Sequence, residues 1–219
     1  MENKYVNFIS DEHLLKCVTN LHKSYLKAKN NVSKKSFYSN KVDTIKLMFD
    51  SKFNDIDEES LIQSEILRQI DKSINNSIGT FHEQILGGIE GYEMGFLSGY
   101  DVKATDDSLF ADIILDELPY KYEEFAFNKL AEIAKFSKYS TCYLVLLNSE
   151  NSFYEKFIIS TDESIISHKR VFKISGDKFY ALLTGRENAL SELNQAIPIV
   201  IDDYLESESY LNSSNHVFA

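Results

Sequence analysis

The sequence has little of what would mark a secreted, membrane-spanning or redox-active protein. Only two cysteines occur in 219 residues, Cys17 and Cys142, far apart and each among apolar neighbours. They supply no disulfide framework and imply two buried free thiols in a reducing cytoplasm. No apolar run reaches the roughly 18 residues a transmembrane helix needs. The opening Met1-Glu2-Asn3-Lys4 lacks the positive-then-apolar pattern of an export signal. A glycine-rich phosphate loop, a zinc-ligand cluster and a nucleophile elbow are also missing.

Positive charge is scarce too. Lys and Arg number 23 against 34 Asp and Glu, giving a net charge of −11 and a pI of about 4.9. That is awkward for a nucleic-acid-binding protein, because phosphate neutralisation carries much of such affinity. The deficit is uneven: residues 1–50 hold nine lysines and five acids, so any general attraction to nucleic acid should arise there. The same lysines could equally serve to solubilise a helix. The acidic remainder offers a surface for a protein partner.

What is present is a real core. Apolar residues make up 43% of the chain, enough for one sizeable domain. Leu14, Leu15, Val18, Leu21, Tyr25 and Leu26 recur at near-helical spacing over residues 10–28. A polar loop is expected over 30–40, and Ile45, Leu47, Met48, Phe49 and Phe53 should be buried in the next segment. Asp57-Glu58-Glu59 suits a helix start, and a third helix around Ile78 to Leu86 should end at Gly87, Gly88 and Gly91. The texture then changes. Tyr100–Thr105 and Leu109–Leu115 read as strands around the turn Asp106-Asp107. Tyr120–Tyr139 reads as a helix with Phe125, Phe127, Leu130, Ile133, Ala134 and Phe136 available to the core. Thr141–Leu147 is apolar enough for a central buried strand. Strands are expected at 152–160 and 168–174, and a short helix at 177–183. Thr184-x-x-Glu187 has the form of a capping box opening a last helix to about Leu205, with Pro198 inside it. The order predicts an α/β (α+β) fold: one domain, helical over about 1–95, with a sheet-containing core over about 96–207.

The hairpin carries the chemistry. With Asp106-Asp107 as a two-residue loop, positions whose numbers sum to 213 lie opposite one another, so Asp101 faces Asp112. Opposed strand positions hold their Cβ atoms about 4.5–5.5 Å apart. Two carboxylates that close repel unless a cation sits between them, and Mg²⁺ suits carboxylate oxygens. The hairpin alone favours the simpler reading, two exposed acids at a strand edge that share no ligand.

Three segments add to this. Asn75–Gly91 (NNSIGTFHEQILGGIEG), Gly99-Tyr100-Asp101-Val102 and Phe179–Leu205 (FYALLTGRENALSELNQAIPIVIDDYL) together resemble the type II restriction endonucleases that cut GGNCC sites, over residues 40–207. The resemblance implies a PD-(D/E)xK core with a mixed central sheet flanked by helices. It also implies Mg²⁺-dependent cleavage of double-stranded DNA and a homodimer on a palindromic site. Carried over, Asp101 matches the first metal-binding acid, Asp112 the acid of the (D/E)xK strand, and Glu83 a supporting metal ligand.

The departure falls at Ile114, where the pattern calls for lysine. An isoleucine can neither position a water nor offset developing negative charge. Asp116 and Glu117 beside it add to the repulsion of phosphate. Lys103, two residues after Asp101 and on the same strand face, lies diagonal to Asp112 and within reach of it. An Asp101–Asp112–Lys103 catalytic set is therefore one expectation, and a surface ion pair of Lys103 with Asp112 the other. His82 reads as a helix-face residue rather than a base. The triplet His168-Lys169-Arg170 could touch phosphate or merely line a strand edge. Three functions stay open: a nuclease with cleavage intact or weakened, an inactive nuclease fold that binds DNA or protein within a defence or regulatory complex, and a phosphodiesterase acting on another nucleic acid, which no residue specifically favours.

Overall fold

A computed structural model describes residues 3–30, 44–95, 99–160 and 164–215. The chain divides into two compact units, Thr19–Thr80 and the combination of Met1–Val18 with Phe81–Ala219. The polar stretch expected over 30–40 lies, beyond Asn30, outside the described residues.

The smaller unit is helical. Most of α1 (Asp11–Asn30), all of α2 (Thr44–Asn54) and most of α3 (Glu58–Leu86) belong to it. Asp57 opens α3 as the acids suggest: its carboxylate accepts the Ser60 N–H (3.0 Å) and hydroxyl (2.7 Å). Two expectations fail here. The helix expected around Ile78 is not separate but the last part of α3, because Gly79 sits inside the helix without ending it. A lone glycine weakens a helix by only about 1 kcal/mol. The apolar residues of α2 are not core either: Ile45, Met48, Phe49 and Phe53 are exposed, and only Leu47 is half-buried. Phe49 and Phe53 instead pack on each other, centroids 5.1 Å apart, as side chains four apart on a helix do.

The larger unit is built on a six-stranded mixed sheet in the order β1-β2-β3-β4-β6-β5. The strands are β1 (Tyr92–Met94), β2 (Val102–Ala104), β3 (Leu109–Ile114), β4 (Thr141–Leu146), β5 (Tyr154–Ser160) and β6 (Ile165–Ser175). Pairing is antiparallel from β1 to β3, parallel through β3, β4 and β6, and antiparallel again at β5. Helix α4 (Tyr120–Phe136) connects the parallel pair β3 and β4, the crossover that such a pair requires. Its Ala126, Phe127, Leu130, Ala131 and Ala134 pack with Phe110, Leu144, Phe157 and Val171 of the sheet. Phe125 and Phe136, expected in this core, are exposed. They fall outside the stripe that Ala126, Leu130 and Ala134 define. β4 is buried almost throughout, as its composition requires.

On the other face of the sheet, Tyr143 of β4 meets Phe179 of α5 (Gly176–Thr184) at 5.8 Å between centroids. The capping box expected at Thr184 does not form. Thr184 is the last residue of α5, its hydroxyl donating to the Tyr180 carbonyl at 2.7 Å. Gly185, with φ 67°, closes that helix in the left-handed conformation that glycine tolerates best. The final helix, α6 (Ala189–Asn215), begins later and contains Pro198.

The basic triplet has a structural use. Arg170 of β6 donates from Nη1 to the carbonyls of Ser137 and Ser140, both at 2.6 Å, and from Nη2 to that of Ala134. It thereby caps the C-terminal end of α4, where carbonyls lack helical partners and a cation is favoured. Arg170→Ala should cost about 1–3 kcal/mol by urea unfolding, and Arg170→Lys should recover little, since one ammonium cannot reproduce the fork. A lysine variant as stable as the parent would show that charge alone matters at this cap.

Candidate active site

The two acids of the hairpin come close to each other, since the Asp112 carboxyl acts directly on that of Asp101. β2 and β3 pair Val102 with Ala111 and Lys103 with Phe110, positions that sum to 213, and Asp101 stands just before the paired residues. The turn is closed by the Asp107 N–H donating to the Ala104 carbonyl at 3.0 Å, with Asp107 at φ 59°. The Asp101 N–H donates at 2.8 Å to the carbonyl of Ala111, the residue that Val102 already faces, so the regular ladder ends at Val102 and Asp101 sits at a bulge-like step. On its other side the Asp101 carbonyl accepts the Gly95 N–H at 2.8 Å. Any side chain at 95 would bring its Cβ to 2.2 Å from the Tyr100 carbonyl oxygen, so only glycine allows this approach.

The carboxylate of Asp101 is aimed by the backbone: Oδ2 accepts the Ile113 N–H at 2.6 Å. Burial pushes this carboxyl up to about 7; the Ile113 bond opposes the rise, and the charges of Asp112 and Glu83 add to it. Glu83, in the last turn of α3, is likewise raised, by burial first and by Asp112 second. Three acids thus share one field. Among the described residues, no three His, Cys, Asp or Glu side chains form a closed metal cage. Mg²⁺ does not require one, since it commonly takes one or two carboxylates and keeps its waters. The Asp101–Asp112 pair fits that demand, with Glu83 as an outer acid.

Lys103 does not join them. Its ammonium bonds Asp107 of the turn (2.6 Å) and Glu93 of β1 (3.2 Å). Those two partners also hold the ammonium in its charged form. The cation at Asp112 is Lys129 of α4, whose Nζ lies 2.8 Å from Asp112 Oδ1. Ile114 is half-buried and packs against the core beneath α4. His82 is no base: burial lowers it to about 4, and its Nδ1 meets the buried Tyr180 hydroxyl at 2.9 Å. Beyond the ends of β3 and β4, Asp116, Glu117, Asn148 and Glu150 line a cavity whose acids disfavour phosphate.

Comparison with known proteins agrees with this frame. The model of the Eco47II restriction endonuclease family matches residues 6–206. The chain belongs to that family. Its relatives include the type II restriction enzyme Sau96I of Staphylococcus aureus, 37% identical over 221 residues, spanning 95% of this chain and 84% of the relative. The type II restriction enzyme Eco47II of Escherichia coli is 29% identical over 215 residues, spanning 93% and 89%.

Within this restriction-endonuclease member, Lys129 is the site residue that sequence reasoning passed over. Its signal was present but weak. In Ala126–Ile133 it stands three residues after a buried alanine and four before a half-buried isoleucine, a charged residue at the margin of an apolar stripe.

The raised carboxyl of Asp101 has a consequence for stability. An acid whose folded pKa lies above its unfolded value costs nothing below the unfolded value. Its cost grows as pH rises towards the folded value and is complete above it. In metal-free protein, Asp101→Asn should therefore raise Tm clearly near about pH 8 and hardly at all near about pH 4. An equal shift at both pH values, read by calorimetry in chelator, would remove ionisation of Asp101 as the source.

Proposed function

We propose that the protein is a type II restriction endonuclease that cleaves both strands of duplex DNA with Mg²⁺ and works as a dimer on GGNCC-type palindromes. The observation that supports it best is the closeness of Asp101 and Asp112: two acids near each other at the end of the hairpin ladder, one of them aimed by the Ile113 N–H. The Lys129 ammonium meets Asp112 only, and the Asp101 carboxyl stays raised beside it. Mg²⁺, when bound, would supply Lewis-acid assistance and neutralise charge on the phosphate. The chain's own part is to hold Asp101 and Asp112 as ligands, to keep the Asp101 oxygen oriented through the backbone, and to leave Glu83 as a reserve of negative charge nearby. Relatives that are type II restriction enzymes along most of their length support the same reading.

The second reading, an inactive nuclease fold that binds DNA or a protein partner, draws on Ile114 and on the net charge of −11. The two separate in one experiment. Purified protein incubated with DNA bearing GGNCC sites should yield discrete fragments in Mg²⁺ and none in chelator, and Asp101→Ala should abolish them. Absence of cutting across a wide range of enzyme, Mg²⁺ and Mn²⁺ would leave the binding role.

A further inference from the structure

We propose that Lys129 of α4 is the catalytic lysine of this protein, supplied from the helix over the sheet in place of the residue that Ile114 cannot be. The inference rests on the nuclease reading above and deepens it.

Three observations converge. Lys129 Nζ lies 2.8 Å from Asp112 Oδ1, with both side chains largely withdrawn from solvent, 26% and 14% exposed. A pair at that depth differs from the exposed ion pairs that contribute little. The lysine stem is also seated. It runs beside Gly99, where a Cβ would come to 3.5 Å from Lys129 Cδ, and Gly99 takes φ 75°, a conformation costly to any other residue. The backbone just before Asp101 therefore abuts the side chain that reaches Asp112. Finally, the neighbouring cations are engaged elsewhere. Lys103 is held by Glu93 and Asp107, Lys173 pairs with Glu123, and Arg170 caps α4.

The geometry of the helix makes the substitution plausible in physical terms. Asp112 lies between Phe110 and Ile114 on the sheet face that α4 covers. A lysine two residues along β3 would approach Asp112 from the side. A lysine on α4 approaches from above, and α4 is packed firmly enough on the sheet to deliver it reproducibly. In cleavage, the oxygen of the attacking water forms a bond to phosphorus while the bond from phosphorus to the leaving sugar oxygen breaks. The leaving oxygen takes the electron pair and a proton from solvent, and the attacking water gives its proton to solvent. The Lys129 ammonium donates a hydrogen bond to the attacking water and offsets the negative charge that builds on the phosphate.

The test uses the full chain with GGNCC-bearing DNA in excess enzyme. Lys129→Met should lower the single-turnover cleavage rate in Mg²⁺ by at least about a hundredfold. It should bind the same DNA in Ca²⁺, which holds the site without supporting cleavage, as tightly as the parent. Calorimetric titration with Mn²⁺ should still detect the metal site, because Asp101 and Asp112 remain. Where Lys129→Met melts early, Lys129→Cys gives a second handle. It should be inactive and should regain rate after alkylation with 2-bromoethylamine, which restores an ammonium; Cys17 and Cys142 are buried and shielded from the reagent. Parental cleavage by Lys129→Met, no gain on complete alkylation of Lys129→Cys, or loss of rate confined to Lys103→Met would each overturn the assignment. A parent protein that never cuts brings down the nuclease reading and this role together; a cutting parent with an equally active Lys129→Met brings down this role alone.

Discussion

Two carboxylates held close together where a hairpin ladder ends are the constraint on which the site depends. Backbone bonding is indifferent to what the side chains carry, so the bonds of Asp101 to Ala111 and Gly95 fix it near Asp112 whether or not the two repel. The surroundings then answer the repulsion. The Ile113 N–H takes one oxygen of Asp101, Lys129 takes one of Asp112, and the Asp101 carboxyl is still pushed to about 7. A charge arrangement so incompletely balanced is poor design for stability alone.

Much of the sheet was legible because its cues are local. The register of Val102 with Ala111 and of Lys103 with Phe110 is the one that the two-residue period of a strand led us to expect. The central position of β4 followed from its unbroken apolar run. Errors arose where a local pattern met a longer-range constraint. Gly79 resembled a break but lies inside a helix that continues to Leu86. Thr184 and Glu187 have capping-box spacing, yet Gly185 between them ends one helix, and the next starts only at Ala189. Ile45, Met48, Phe49 and Phe53 are apolar enough for a core, but burial requires an opposing layer, and hydrophobicity does not provide one.

Lysine placement was the least legible feature. Lys103 shares a strand face with Asp101, and spacing alone brings it near Asp112. The competition for its ammonium was not visible in that spacing. Glu93 lies opposite it on β1, a strand too short to stand out in the sequence, and Asp107 projects from the turn. Lys129 is 17 positions after Asp112 in the chain, beyond the reach of any strand or turn rule. It meets Asp112 only because a parallel pair of strands requires a crossover, and the crossover helix folds back over the first strand of that pair.

The same geometry explains how isoleucine is tolerated at position 114. On β3, Phe110, Asp112 and Ile114 share the face beneath α4, and the flanking positions pack into the core formed with Ala126, Phe127 and Leu130. A lysine at 114 would have to pass its charge out from under the helix. Isoleucine adds apolar packing there instead, and the helix that it supports carries the ammonium. Removing lysine from the strand and supplying it from the helix are therefore one structural change. The side chain at 114 helps seat α4, and α4 in turn holds Lys129 over Asp112.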